Sequence, residues 1–130
     1  MIVDSSAMTS LLREEPETAW IEPIMHAHFG TLKMSVANYL ESAIVIDGNG
    51  DAELSQRLDR VVDHFQIELV PVWRYQVALA RDAYAAFGKG NHPARLNFGD
   101  CFAYALAKES GEPLLFKGAD FAQTDIEPAR

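Results

Sequence analysis

The stretch Asn97-Phe98-Gly99-Asp100-Cys101-Phe102-Ala103-Tyr104-Ala105-Leu106 decides how the chain is read. Phe98, Phe102 and Leu106 recur every four residues, with Cys101 and Ala105 beside them, so the spacing predicts a helix with one apolar face. Asp100 in the first turn has two readings. It is a charge stabilised by the helix dipole, worth ~0.3–1 kcal/mol, or it is an acid set at a junction for chemistry. The rest of the chain bears on that choice, because Asp4, Glu41 and Asp120 stand at comparable places.

Working outward, Gly88-Lys89-Gly90-Asn91-His92-Pro93-Ala94-Arg95 is a loop and the only locally basic segment. It is either a solvated loop or a source of phosphate contacts through Lys89 and Arg95. Before it, Trp73 to Phe87 reads as a helix with Val77, Ala80, Ala83, Tyr84 and Phe87 inward, and Ile67-Glu68-Leu69-Val70 as a strand closed by Pro71. Asp51 to Phe65 is a further helix after the Asp47-Gly48-Asn49-Gly50-Asp51 turn. Ser35 is placed to cap a helix carrying Val36, Tyr39, Leu40, Ala43 and Ile44, with Glu41 at the edge of that stripe. Glu17 to Phe29 is helical and interrupted by Pro23, while His26 and His28, two apart, share no face and make a poor metal pair.

Met1-Ile2-Val3 reads as a central strand that delivers Asp4 at its carboxyl end and runs straight into a helix through Ala7, Met8, Leu11 and Leu12. Asp4 is then a helix cap, or an acid at the strand end where open parallel sheets build sites, and the two roles are compatible. Beyond the Asn97 helix, Pro113 to Lys117 is a strand, Gly118-Ala119-Asp120-Phe121 turns away from it, and Thr124-Asp125-Ile126 is a possible last short strand. Strands alternating with helices through short links predict an α/β fold with a mainly parallel sheet and right-handed crossovers.

The 130 residues are expected to form one domain, 1–130, and 48% apolar with 23% charged residues is the balance of an ordinary soluble protein. No apolar run is long enough for a bilayer, so no membrane association is expected. No basic leader precedes the acid at position 4, which argues against a secretory signal. The single cysteine, Cys101, excludes an internal disulfide, and cytoplasmic localisation is expected. A net charge of −8 argues against a general polyanion binder. If nucleic acid is the substrate, a metal or a local basic strip must offset the repulsion. Two carboxylates ~4 Å apart repel by roughly 4 kcal/mol at an effective dielectric of ~20, so four acids in one place call for a counter-charge. An oxygen-only donor set suits Mg²⁺ or Mn²⁺ rather than Zn²⁺.

Four segments carry a resemblance. They are Ile2-Val3-Asp4-Ser5-Ser6-Ala7, Met34-Ser35-Val36-Ala37-Asn38-Tyr39-Leu40-Glu41, Leu96 to Ala107 around Asp100, and Leu114 to Ile126 around Asp120. In that order they resemble the PIN domain, and within it the VapC toxins of bacterial toxin–antitoxin pairs, across the whole chain. The resemblance implies a three-layer α/β/α fold, a Mg²⁺-dependent endoribonuclease (Mn²⁺ being an alternative ion), and Asp4, Glu41, Asp100 and Asp120 as metal-binding and catalytic acids. Ser6 matches the family's small hydroxyl residue near the first acid and is expected to support it. Many relatives carry a second polar residue where this chain has Ala119, which leaves the number of metals open, and Asp125 is a spare acid. A VapB-like antitoxin, a homodimer and a toxin–antitoxin hetero-oligomer are implied partners, with RNA as substrate.

The competing reading is a PIN-like module that binds RNA or protein without cutting. Met8, Leu11, Leu12, Trp20, Ile21, Ile24 and Met25 also have two readings: core, or a groove for an antitoxin helix.

Overall fold

The computed structural model describes residues 1–130. Four short strands, β1 (Ile2–Val3), β2 (Lys33–Ser35), β3 (Glu68–Val70) and β4 (Leu114–Leu115), form one parallel sheet in the order β3-β2-β1-β4. The helices are α1 (Ser5–Leu12), α2 (Thr18–Ala27), α3 (Val36–Asp47), α4 (Ala52–His64), α5 (Arg74–Phe87) and α6 (Phe98–Ser110), and a 3₁₀ turn spans Phe121–Gln123. No helix is long and apolar enough to cross a membrane.

Alternation along the strands splits the interior in two. Met1, Val3, Met34 and Leu115 face a core shared with α1, α2 and α4 through Met8, Leu12, Ile21, Met25, Leu58 and Phe65. Ile2 and Leu114 face the other side, packed with Ala80, Ala83, Leu96, Ala103, Tyr104 and Leu106 of α5, α6 and the segment between them. The result is the three-layer α/β/α arrangement expected, with β1 central and fully buried.

Local chemistry explains most element boundaries. Ser35 caps α3, its Oγ accepting from Ala37 N at 3.3 Å, and Asp51 caps α4 by accepting from Glu53 N at 3.0 Å and Leu54 N at 3.2 Å. Gly111 ends α6 in the left-handed region at φ 65°, a conformation open to glycine at little cost.

Several expectations are corrected. Lys33–Ser35, read only as an approach to α3, is strand β2, too short to show alternation in sequence. Thr124 to Ile126 forms no strand: the Thr124 hydroxyl donates to Phe121 O at 2.7 Å and accepts from Ile126 N at 3.3 Å, bending the chain, and Pro128 makes the bridge to Leu114 instead. Met8, Leu11, Leu12, Ile21 and Met25 are buried in the core, and Trp20 lies beneath the Arg130 guanidinium, 4.1 Å from its ring centre.

The apolar face of α3 is turned from expectation, and single apolar positions of α5 and α6 stand outside while Ala80, Ala83, Cys101, Ala105 and Leu106 are buried as expected. On α3, Leu40 (57% exposed) and Ile44 (64%) face outward while Asn38 and Ser42 are buried. On α5, Val77 and Tyr84 are exposed and Gln76 is buried, and on α6, Phe98 is 80% exposed. Close packing explains α6. Its Ala103, Ala105 and Ala107 lie in one core with Ile2 of β1 and Ala80 and Ala83 of α5, their small side chains admitting a near approach, and Phe98 is left outside against Phe102 at 4.9 Å.

These placements separate two truncations on one helix. Leu106→Ala is expected to cost ~2–5 kcal/mol in urea unfolding, whereas Phe98→Ala, which loses one surface aromatic contact, should cost less than ~1 kcal/mol. Equal losses would place Phe98 in the core after all.

Candidate active site

At the carboxyl end of β1 a cleft of about 270 Å³ is lined by Asp4, Ser5, Ser6, Thr9, Glu41, Val45, Asn97, Asp100, Lys117, Asp120 and Phe121. Asp4, Glu41, Asp100 and Asp120, far apart in sequence, therefore share one wall system. β1 and β4 run side by side, α3 leaves from the adjacent β2, and α6 begins over the strand ends.

Three of the acids are held by one oxygen only. Asp4 caps α1: its Oδ2 accepts from Ser6 N at 3.0 Å and Ser6 Oγ at 2.6 Å, while its buried Oδ1 has no partner. Both readings of Asp4, cap and cleft acid, thus hold together in one side chain. Asp100 does the same for α6. Its Oδ2 accepts from Asn97 N at 3.0 Å and its own N–H donates to Asn97 Oδ1 at 3.0 Å, a reciprocal capping box. Glu41 Oε1 accepts from the Ser5 hydroxyl and from Asn38 Nδ2 at 3.3 Å. Asp120 is exposed and holds no helix cap.

Ser6 also ties two strand ends together, since its hydroxyl accepts from Lys117 N at 3.0 Å just past β4. The Lys117 ammonium is turned to Glu15 at 2.6 Å and Glu17 at 3.4 Å, so it brings little free positive charge into the cleft. Lys89 and Arg95 do not line the cleft. Lys89 borders the neighbouring apolar groove between α5 and α6 and is the one lysine of four without an ion pair. Arg95 is exposed in a left-handed backbone conformation at φ 56°. Asp125 is engaged elsewhere, accepting from Tyr104 Oη at 2.7 Å and Lys108 Nζ at 2.6 Å, and Ala119 is exposed. Ser5, Asn38 and Asn97 were not singled out as site residues. Asn38, three before Glu41 on a helix, carried the only usable signal.

Burial pushes the Asp4 carboxyl up to about 6, against the Ser6 hydrogen bonds that favour its charged form, and the Glu41 charge adds to the rise. Asp100 is pushed up to about 7, first by burial and then by the charges of Asp4, Asp120 and Glu41, with the Asn97 N–H opposing. As placed, no group of three His, Cys, Asp or Glu side chains closes tightly enough to enclose an ion. The donor set nevertheless fits a hard divalent cation: oxygen ligands only, and a buried Asp4 Oδ1 that nothing in the chain satisfies.

The family model of the PIN domain matches residues 1–127. A VapC ribonuclease of Mycobacterium bovis is 45% identical over 130 residues, covering 99% of this chain and 97% of that protein. Ribonuclease VapC30 of Mycobacterium tuberculosis is 45% identical over 126 residues, 97% of this chain and 95% of that protein. Ribonuclease VapC of Mycolicibacterium smegmatis is 44% identical over 126 residues, 97% of each. The crystal structure of Mycobacterium tuberculosis VapC20, described as a sarcin–ricin loop cleaving toxin, superposes with a TM-score of 0.78 at 12% identity, covering 96% of this chain and 95% of that one. At that identity it bears on the fold alone.

The raised carboxyls have a signed consequence. An acid whose pKa is higher folded than unfolded contributes stability that is full below the unfolded value of 3.8 and is lost as pH rises through about 6 for Asp4 and about 7 for Asp100. The melting temperature of metal-free protein should therefore fall between about pH 4 and about pH 7, and Asp100→Asn should flatten the fall. A wild-type curve no steeper than that of Asp100→Asn would remove the raised Asp100 carboxyl from the account.

Proposed function

The chain belongs to the PIN-domain family, and from that premise we propose that it is a divalent-metal-dependent endoribonuclease of the VapC type, silenced by a cognate VapB-like antitoxin. Residues 1–130 act in this reading as one PIN-like domain. The observation that carries it is the single cleft lined by Asp4, Glu41, Asp100 and Asp120.

Mg²⁺, or Mn²⁺ in its place, would be held by these four acids and would lower the pKa of a bound water for attack on a phosphodiester. The chain's own residues prepare that role. Ser6 fixes Asp4 through Oδ2, so the Oδ1 that remains is the one given to the cleft. Asn97 orients Asp100 in the same manner. A cation beside the raised Asp4 and Asp100 carboxyls would favour their charged forms and oppose that rise. Lys89 and Arg95, outside the cleft, would contact RNA phosphates and fix register against an otherwise repulsive charge of −8.

The substrate is a structured RNA met in the cytoplasm, and the target described for VapC20, the sarcin–ricin loop, is a first RNA to try. Partner surfaces are available. Leu40 and Ile44 on α3, and Val77, Tyr84 and Phe98 around the α5–α6 groove, expose apolar area of the kind that an antitoxin helix or a second copy in a homodimer covers.

Single-turnover cleavage at saturating RNA and Mg²⁺ tests the reading. Asp4→Asn should lower the rate by ~10²–10⁴. Lys89→Ala with Arg95→Ala should weaken RNA binding and flatten its salt dependence while nearly keeping the saturated rate. Binding without any metal-dependent cleavage by wild type would point to the non-catalytic module instead.

A further inference from the structure

Three features converge on the Glu41 carboxylate from outside the set of cleft acids. Ser5 donates to Oε1 from the first turn of α1, and Asn38 Nδ2 donates to the same oxygen at 3.3 Å. The third is an absence of atoms. A Cβ on Gly99 would lie 2.0 Å from Glu41 Oε2, 2.6 Å from Cδ and 2.7 Å from Oε1. No positive φ requires glycine at this helical position, so the space it leaves, and not backbone freedom, is what the residue supplies.

Asn38 joins the two sides. It is fully buried, and the same Nδ2 that reaches Glu41 donates to Gly99 O at 2.9 Å. Turning the amide over would set its oxygen against a carbonyl and a carboxylate, so its orientation is dictated. The Ser42 hydroxyl, donating to Asn38 O at 2.9 Å, fills the inner face of the same turn of α3.

We infer that Gly99 and Asn38 are positioning residues for Glu41: Gly99 holds open the space that the carboxylate occupies beside the start of α6, and Asn38 locks Oε1 so that Oε2 is the oxygen left for a ligand. Glycine ahead of Asp100 is thus a steric requirement of a residue 58 positions earlier in the chain, read from Glu41 to Gly99. The inference rests on the reading of the cleft as a divalent-cation site.

Gly99→Ala is the decisive variant, because the atoms it meets belong to the end of a flexible side chain that can swing away. Alanine also suits a helix better than glycine. The metal-free melting temperature should stay equal or rise, while Mn²⁺ affinity, measured by titration calorimetry without RNA, falls by ~10–100-fold, as for other residues that orient a metal ligand. Asn38→Ala should lower affinity similarly but also lose stability through the Gly99 carbonyl, which is why Gly99→Ala is the cleaner measurement. The two arms are completed by Glu41→Gln alone and combined with Gly99→Ala. If Gly99 acts through Glu41, adding Gly99→Ala to Glu41→Gln costs no further Mn²⁺ affinity. Wild-type Mn²⁺ affinity in Gly99→Ala, or full additivity in the double variant, overturns the inference and leaves the cation site standing. No Mn²⁺ uptake by the wild-type protein overturns the cation site itself, and the inference with it.

Discussion

Mutual repulsion among four carboxylates is the constraint around which this protein is built. Side chains from the ends of β1, α3, the start of α6 and the turn after β4 open on one small cleft with no free cation among them. Neutral dipoles share the task of tolerating that charge. Asp4 and Asp100 each commit one oxygen to a helix N-terminus, where backbone N–H groups and the helix dipole favour negative charge, and Glu41 commits one to a hydroxyl and an amide. Each retains a second oxygen. The fold therefore uses half of each carboxylate to hold the acid still and leaves the other half for chemistry. The unfavourable remainder is borne by two apolar cores that clasp the sheet on both faces.

The same logic explains which parts were legible in sequence. Strand β1, the caps Ser35 and Asp51, and the three-layer α/β plan follow from local patterns: an apolar run before an acid, a hydroxyl or carboxylate ahead of a helical period, short links between elements. The gathering of Asp4, Glu41, Asp100 and Asp120 came from a resemblance rather than from periodicity, since nothing local says that residues so far apart meet. Strand β2 was hidden because three residues cannot display alternation. The inverted face of α3 was hidden for a more instructive reason. Its inward side is given to Asn38 and Ser42, beside the cleft, so Leu40 and Ile44 stand on the outside and mislead any argument from hydrophobic spacing.

Three of the four lysines are engaged by acids outside the cleft set. Lys33 pairs with Glu112, Lys108 with Asp125, and Lys117, at the cleft wall, with Glu15 and Glu17. Such exposed or half-exposed pairs add little stability one by one. Asp125 is a case in point, because its bonds to Lys108 and Tyr104 withdraw an acid that sequence alone left as a spare.

The strand order β3-β2-β1-β4 carries a consequence for biosynthesis. β1 is an interior strand, and its neighbour on one side, β4, is made only after β2, β3 and the six helices. β1 thus waits, unpaired along one edge, until β4 follows. Asp120, made later still, completes the acidic set. A growing polypeptide with this topology cannot assemble the cleft piecemeal, since the contacts that close it join opposite ends of the sequence and form late in folding. A nascent chain that has not yet reached β4 lacks both the second edge partner of β1 and the fourth acid, Asp120.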